Sequence, residues 1–234
     1  MRNKGLLIFL IVALILIIDQ SVKIYIKTNF FPGEDHAVIG DWMHIHYTEN
    51  QGMAFGTTFG SSIWAKLALS IFRMVAIAGI IWYIIQKLKE NVRVEFLIAL
   101  GLVLAGAAGN LIDSMAYDYL FTYDPCMVFN HLEGSGIKTD CGIFGDIETR
   151  HTGFLFGNVV DMFRFQFYWP QWMPWLGGRE VFPAIFNVAD ASISCGVIMV
   201  LIRQRSYFAK KETQAELANT PVAEDAEPTK DSEE

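Results

Sequence analysis

Four long apolar runs and two short alternating stretches organise this chain. After a brief basic start, Met1–Lys4, the stretch Gly5–Ile18 is apolar without a break; Asp19 and Gln20 interrupt it, and Val22–Ile26 continues the pattern. Together these supply about the ~20 residues that a membrane-crossing helix requires, and no A-x-A-like site follows to mark a removed leader. Runs from about Ser62 to Gln86, from about Glu95 to Asp113 and from Val181 to Arg203 predict three more helices. Between them the period drops to two. Trp42–Thr48 sets Met43, Ile45 and Tyr47 against His44 and His46, and Asp161–Tyr168 sets Asp161, Phe163, Phe165 and Phe167 against Met162, Arg164, Gln166 and Tyr168. Both read as strands, the second with an aromatic face suited to a membrane interface.

Composition agrees with the pattern. Hydrophobic residues make up 53% of the 234 positions and the mean hydropathy is +0.32, too apolar for an ordinary soluble domain, so the chain reads as an integral membrane protein. The net charge of −7 is local: from Ser206 to Glu234 three Lys face eight Asp or Glu, a balance of −5, which leaves −2 for the rest. This end reads as a disordered, acidic tail. No basic patch with interleaved aromatics is present, so nucleic acid is not an expected partner. Cys195, inside the last apolar run, reads as a small buried hydrophobe. Cys126 and Cys141 share one polar loop, either bridged or as two free thiols.

Positive charge sets the orientation. Arg2 and Lys4 precede the first helix, Lys87, Lys89 and Arg93 join the second to the third, and Arg203, Arg205, Lys210 and Lys211 follow the fourth. All fall on one side if both termini are cytoplasmic, which puts the two long connections outside. At ~1.5 Å per residue, Asp19 lies roughly 21 Å above the inner end of its helix, Asp190 roughly 20 Å above Arg203, Asp113 roughly 27 Å above Glu95 and Arg73 roughly 21 Å above Lys87. In a hydrocarbon core about 30 Å thick, these groups on four helices share the outer third or its boundary.

A carboxylate at that depth is costly and reads as functional. Asn187 and Asp190 are three apart, on one face of a helix, with the small Ala189 between them. Asp161 lies upstream on the outer strand. Two carboxylates sharing a dry site titrate apart, one protonated and one not; that is the state in which one takes a proton from water while the other donates to a carbonyl oxygen. Asn110 and Asp113 repeat the Asn-x-x-Asp spacing behind Gly106–Gly109, a run that permits tight helix contact. Asp113 either orients the site or is the second acid. Lys23, four residues after Asp19, is placed to snorkel to the surface, and Arg73 reads as a counter-ion to a buried carboxylate. Asn50 and Gly52 in NQGMAFG suit close approach to a substrate backbone. His44-x-His46, His131 and His151 lack H-E-x-x-H spacing, so no metal or other cofactor is expected. A proton-coupled carrier also uses intramembrane acids, but its paired interrupted spans are missing; a non-enzymatic assembly factor leaves the polar cluster without a purpose.

The motifs DQSVK (Asp19–Lys23), NQGMAFG (Asn50–Gly56), AGAAGNLID (Ala105–Asp113), VVD (Val159–Asp161) and FNVAD (Phe186–Asp190) stand in the order seen in the lipoprotein signal peptidases, signal peptidase II. The chain resembles that family over about residues 5–203, the long insert excepted. The resemblance implies a mainly α membrane protein: four transmembrane helices with a small outer β-cradle and a long outer insert. Residues 1–205 would form the peptidase domain, with outer β segments at about 36–60 and 157–180 and the insert at 117–156, ahead of the cytoplasmic tail 206–234. It implies a bacterial inner-membrane aspartic endopeptidase, acting as a monomer among membrane lipids, that removes the signal peptide of diacylglyceryl-modified prolipoproteins before the lipidated Cys. Asp161 and Asp190 would be the catalytic pair. Asp19, Lys23, Asn50, Gly52, Asn110, Asp113, Asn187 and Ala189 would support the site or bind substrate. Two departures stand out: the family pattern has Arg where this chain has Ser114, with Arg164 a candidate substitute, and the insert replaces a short connection.

Overall fold

The computed structural model describes residues 2–51, 62–90 and 92–207. Among the described residues four α-helices form: α1 (Arg2–Asn29), α2 (Ile63–Lys89), α3 (Val94–Leu120) and α4 (Val188–Tyr207). By length and composition α1, α2 and α3 are apolar enough to cross a membrane. The fourth, α4, has 20 residues, about 30 Å of helix, and packs along α3. All three other helices contact α3, whose buried residues run from Phe96 to Tyr117, whereas α1 and α2 leave many large apolar side chains exposed, among them Phe9, Leu14, Phe72, Val75 and Trp82. An apolar belt of this extent is the surface that lipid covers.

Two helix boundaries differ from the sequence expectation. The third helix continues past Asp113 to Leu120, so the first residues assigned to the insert are helical. The fourth begins at Val188 rather than Val181. Pro183 lies in the extended approach, Ile185–Phe186 form a short strand, and Asn187 caps the helix, so the apolar run covers a strand and a helix in succession.

A four-stranded antiparallel sheet has the order β1-β2-β5-β6, from β1 (Asp35–Ile39), β2 (Met43–Asn50), β5 (Val159–Phe165) and β6 (Ile185–Phe186). Both alternating stretches are therefore strands. In the register of β2 with β5, Thr48 stands opposite Asp161 and Asn50 opposite Val159. Tyr47, Val160 and Met162 pack with Ile26 and Tyr117 into a core that seats the sheet on the ends of α1 and α3.

The insert is structured. It holds a separate hairpin, β3 (Lys138–Asp140) with β4 (Asp146–Glu148), and a disulfide between Cys126 and Cys141. Buried Arg150 ties it to α3: Nη2 and Nη1 donate to the two Asp118 carboxylate oxygens at 2.7 and 2.9 Å, Nε to Asn130 Oδ1 at 2.6 Å, and Nη1 also to Phe156 O. The acidic tail beyond Tyr207 lies outside the described residues.

Candidate active site

The position of Asp190 begins with a reciprocal helix cap. Asn187 Oδ1 accepts from the Asp190 N–H at 2.9 Å, and Asp190 Oδ2 accepts from the Asn187 N–H at 3.3 Å. This is the capping-box exchange, with Asn as the cap and Asp three residues on. Asn187 is thus the cap rather than a neighbour of Asp190 on a helical face.

The same Asn187 reaches the strand. Its buried amide nitrogen donates to Asp161 Oδ1 at 2.7 Å, to Val160 O at 3.2 Å and to Asn110 Oδ1 at 3.2 Å. Asn110 closes the circuit by donating from Nδ2 to Asp190 Oδ1 at 2.8 Å. Asp161 and Asp190, from a strand and a helix, are joined through these two amides and line one cavity of about 880 Å³. Phe165, Phe182 and Phe186 form much of its apolar wall, and Asn50 lines it while hydrogen-bonding Asp161.

Behind the pair lies a buried ion cluster. Lys23 Nζ meets Asp19 Oδ2 at 3.0 Å, Asp113 Oδ2 at 2.8 Å and Asn110 Oδ1 at 2.9 Å. The snorkelling expectation for Lys23 fails: two carboxylates and an amide satisfy its ammonium inside the bundle, and its exposure is 0%. Each acid of the cluster also holds a peptide group next to a candidate catalytic residue. Asp113 Oδ2 accepts from the Val160 N–H at 3.3 Å, one residue before Asp161, and Asp19 Oδ1 accepts from the Ala189 N–H at 2.9 Å, one residue before Asp190. This geometry gives Asp113 an orienting task. Gln20, which the sequence reading passed over, donates to Asp113 Oδ1 at 2.9 Å and Asp19 Oδ2 at 3.1 Å; its place in the DQSVK motif was the available signal.

Small residues make the approach possible. A Cβ on Gly106 would lie 2.2 Å from Ala189 O, and one on Gly109 would lie 2.6 Å from Asp19 Oδ2. Gly157 leads into β5 in the same way, its Cβ position 2.4 Å from Asp113 O.

Burial, and then the charge of Asp190, push the Asp161 carboxyl up to about 8, against the opposing donation from Asn50 and Asn187. Near neutral pH it carries a proton, so Asp161 is placed to act as an acid.

Other residues fall elsewhere. Arg164 pairs with Glu180 and Asp35 on the sheet, remote in contacts from Ser114, whose hydroxyl instead accepts from Arg73 Nη1 at 3.4 Å. Cys195, expected to be buried, is exposed and lines the cavity. Gly52 lies outside the described residues. Among the described residues no group of three or more His, Cys, Asp or Glu is placed to hold a metal ion.

Comparison with known proteins places this arrangement. Residues 11–205 match the family model described as signal peptidase (SPase) II. A lipoprotein signal peptidase of Porphyromonas gingivalis is 36% identical, covering 97% of this chain and 95% of its own. One from Amoebophilus asiaticus is 31% identical over 90% of this chain and 86% of its own. A solved structure described as a bacterial membrane enzyme shares the fold with a TM-score of 0.51 at 20% identity, covering 94% of each chain. With the match spanning nearly all of the described helices and strands, the chain belongs to the signal peptidase II family.

Proposed function

We propose that this protein is a membrane aspartic endopeptidase that cleaves the signal peptide from diacylglyceryl-modified prolipoproteins immediately before the lipidated Cys. The observation that carries the reading is the pair Asp161 and Asp190, hydrogen-bonded to the same Asn187 and lining one largely apolar cavity. Membership of the family, and the name of its Porphyromonas gingivalis relative, support the substrate class.

The signal helix lies in the apolar part of the cavity between α2, α3 and α4, with the substrate's lipid chains in the bilayer. Its scissile carbonyl sits at the level of the two acids. Asp190, ionised, takes a proton from a water whose oxygen attacks the carbonyl carbon. Asp161, protonated, gives its proton to the carbonyl oxygen. The tetrahedral species collapses as the proton held on Asp190 passes to the amide nitrogen; the C–N bond breaks, and Asp161 recovers its proton from the departing hydroxyl. No covalent enzyme intermediate forms. Asn110, Asn187, Asp19, Lys23 and Asp113 hold the pair, and Asn50 borders the substrate path. The protein acts as a monomer in the bacterial inner membrane, with both termini cytoplasmic and the site near the outer face.

The test uses purified protein in detergent with a diacylglyceryl-modified peptide. Asp161→Asn and Asp190→Asn should each abolish cleavage while the melting transition survives. Normal processing by Asp161→Asn would move the second acid to Asp113.

A further inference from the structure

The insert meets the four-stranded sheet at the end that carries Asn50 and Asp161. A register shift between Ile45 and Thr48 divides the ladder of β2 with β5, and beyond it stand the pairs Thr48–Asp161, Glu49–Val160 and Asn50–Val159. Asn50, Val159 and Asp161 all line the cavity, as the alternation of side chains along a strand requires. A bulge disrupts the ladder and bends its strand, so pairs beyond it inherit little register from the rest of the sheet. A slip of one residue would turn Asp161 to the opposite face. This short ladder therefore needs anchors of its own.

A short helical turn of the insert, Val128–Asn130, grips both strands where the next pair would stand. Gln51 follows Asn50, and Asn158 precedes Val159. Gln51 Nε2 donates to Phe129 O at 3.3 Å and to His131 O at 3.2 Å, while Asn158 Nδ2 donates to Asn130 Oδ1 at 3.1 Å. Asn130 and Asn158 are each 2% exposed, so losing this bond leaves buried polar atoms unsatisfied. The turn is itself braced. Asn130 Oδ1 also accepts from Arg150 Nε, its Nδ2 donates to Asp124 O at 2.7 Å, and the disulfide to Cys141 fastens Cys126 just ahead of it. From α2, Lys66 Nζ holds the other end of the Asn158 amide, at 3.1 Å from Oδ1. The spanning helices hold the strands one at a time: Lys27 pairs with Glu49 on β2, and Ser114 O and Asp113 accept from the Gly157 and Val160 N–H groups. The insert's turn bonds both.

We propose that Asn130 and the turn around it are positioning elements for cleavage: by joining Gln51 to Asn158, the insert fixes the register of the pairs that present Asn50 and Asp161 to the cavity. The assignment rests on the aspartic reading above and gives the insert a part in it. Among the described residues lining the cavity, none comes from Val128–Asn130. The turn therefore acts through the strands, on the placement of Asp161, and leaves the seat of the signal helix alone. A misplacement of about 1 Å can cost on the order of a hundredfold in rate.

The experiment measures kcat, KM and the melting midpoint of the full-length protein in detergent, on a diacylglyceryl-modified peptide, for wild type, Asn130→Ala, Gln51→Ala and the two combined. Kinetics are taken at a temperature where the melting curve shows each variant folded. Asn130→Ala removes the grip on β5 and Gln51→Ala the grip on β2. Each should lower kcat by roughly ten- to a hundredfold, and the pair by no less, with KM within about twofold of wild type. A folded variant with wild-type kcat, however low its melting midpoint, makes the insert a stabilising module only and overturns the proposal. A raised KM at unchanged kcat does so too, because it assigns the turn to substrate contact. Gln51 is partly buried, so Gln51→Ala supplies the reading if Asn130→Ala, which also takes an acceptor from buried Arg150, fails to fold. Asp161→Asn is run alongside. Cleavage by that variant would strike the aspartic mechanism itself, whereas its inactivity beside wild-type kcat in the insert variants would strike this proposal alone.

Discussion

Replacing Lys23 by Met tests the framework beneath the site. The ammonium has three N–H groups and meets three acceptors, on Asp19, Asp113 and Asn110, with no exposure to solvent. Met keeps an unbranched stem and removes the charge, leaving two carboxylates in the bundle without their shared cation. Breaking a buried pair by deleting one partner costs about 3–5 kcal/mol, and here a single deletion breaks two. With roughly 2–4 °C per kcal/mol for a chain of this size, the melting midpoint in detergent should fall by roughly 6–20 °C. Adding Asp19→Asn and Asp113→Asn to Lys23→Met should recover most of that loss. Each Asn can still accept from the Ala189 or Val160 N–H, and no buried charge is left unpaired. Intrinsic tryptophan fluorescence during heating reads both variants. A triple variant as unstable as the single one would refute the reasoning, because the loss would then come from packing around the Lys23 stem rather than from orphaned charge.

Three further outcomes are expected. Cleavage by the wild-type protein should decline as pH rises through about 8, where Asp161 gives up its proton; in Asp190→Asn the neighbouring charge is gone, so infrared titration of the Asp161 carboxyl should show it ionising at lower pH. Gly106→Ala puts a Cβ 2.2 Å from Ala189 O and 2.6 Å from Ile193 Cγ1, which forces α4 away from α3; a loss of at least about 1–3 kcal/mol in thermal stability and of most cleavage should follow. Arg150→Met removes the bidentate partner of Asp118 and should cost about 3–5 kcal/mol, with new protease cleavage inside residues 117–156.

Much of this architecture is legible in the sequence because lipid imposes strict rules. A long apolar run must be helical in a membrane, so α1 to α3 appear with their approximate limits, and the alternation in Trp42–Thr48 and Asp161–Tyr168 reveals β2 and β5. The start of α4 was hidden. Val181–Phe186 is as apolar as the helix that follows it, and the boundary is set by the reciprocal cap between Asn187 and Asp190, which hydropathy does not register. Lys23 was misread for a related reason: spacing places it near Asp19, but only the fold brings Asp113 from another helix to complete its shell. The links from Arg150 to Asp118 and from Arg73 to Ser114 join distant parts of the chain, and neither residue's local sequence names its partner.

The two peptide clamps have a mechanical consequence. Asp113 grips the strand one step ahead of Asp161, Asp19 grips the helix one step ahead of Asp190, and both grips are locked to one ammonium on α1. The gap between the two candidate acids is therefore inherited from a helix that contributes neither of them. Hydrophobic mismatch tilts spanning helices, so any tilt of α1 carries both clamps, and the spacing they set, along with it.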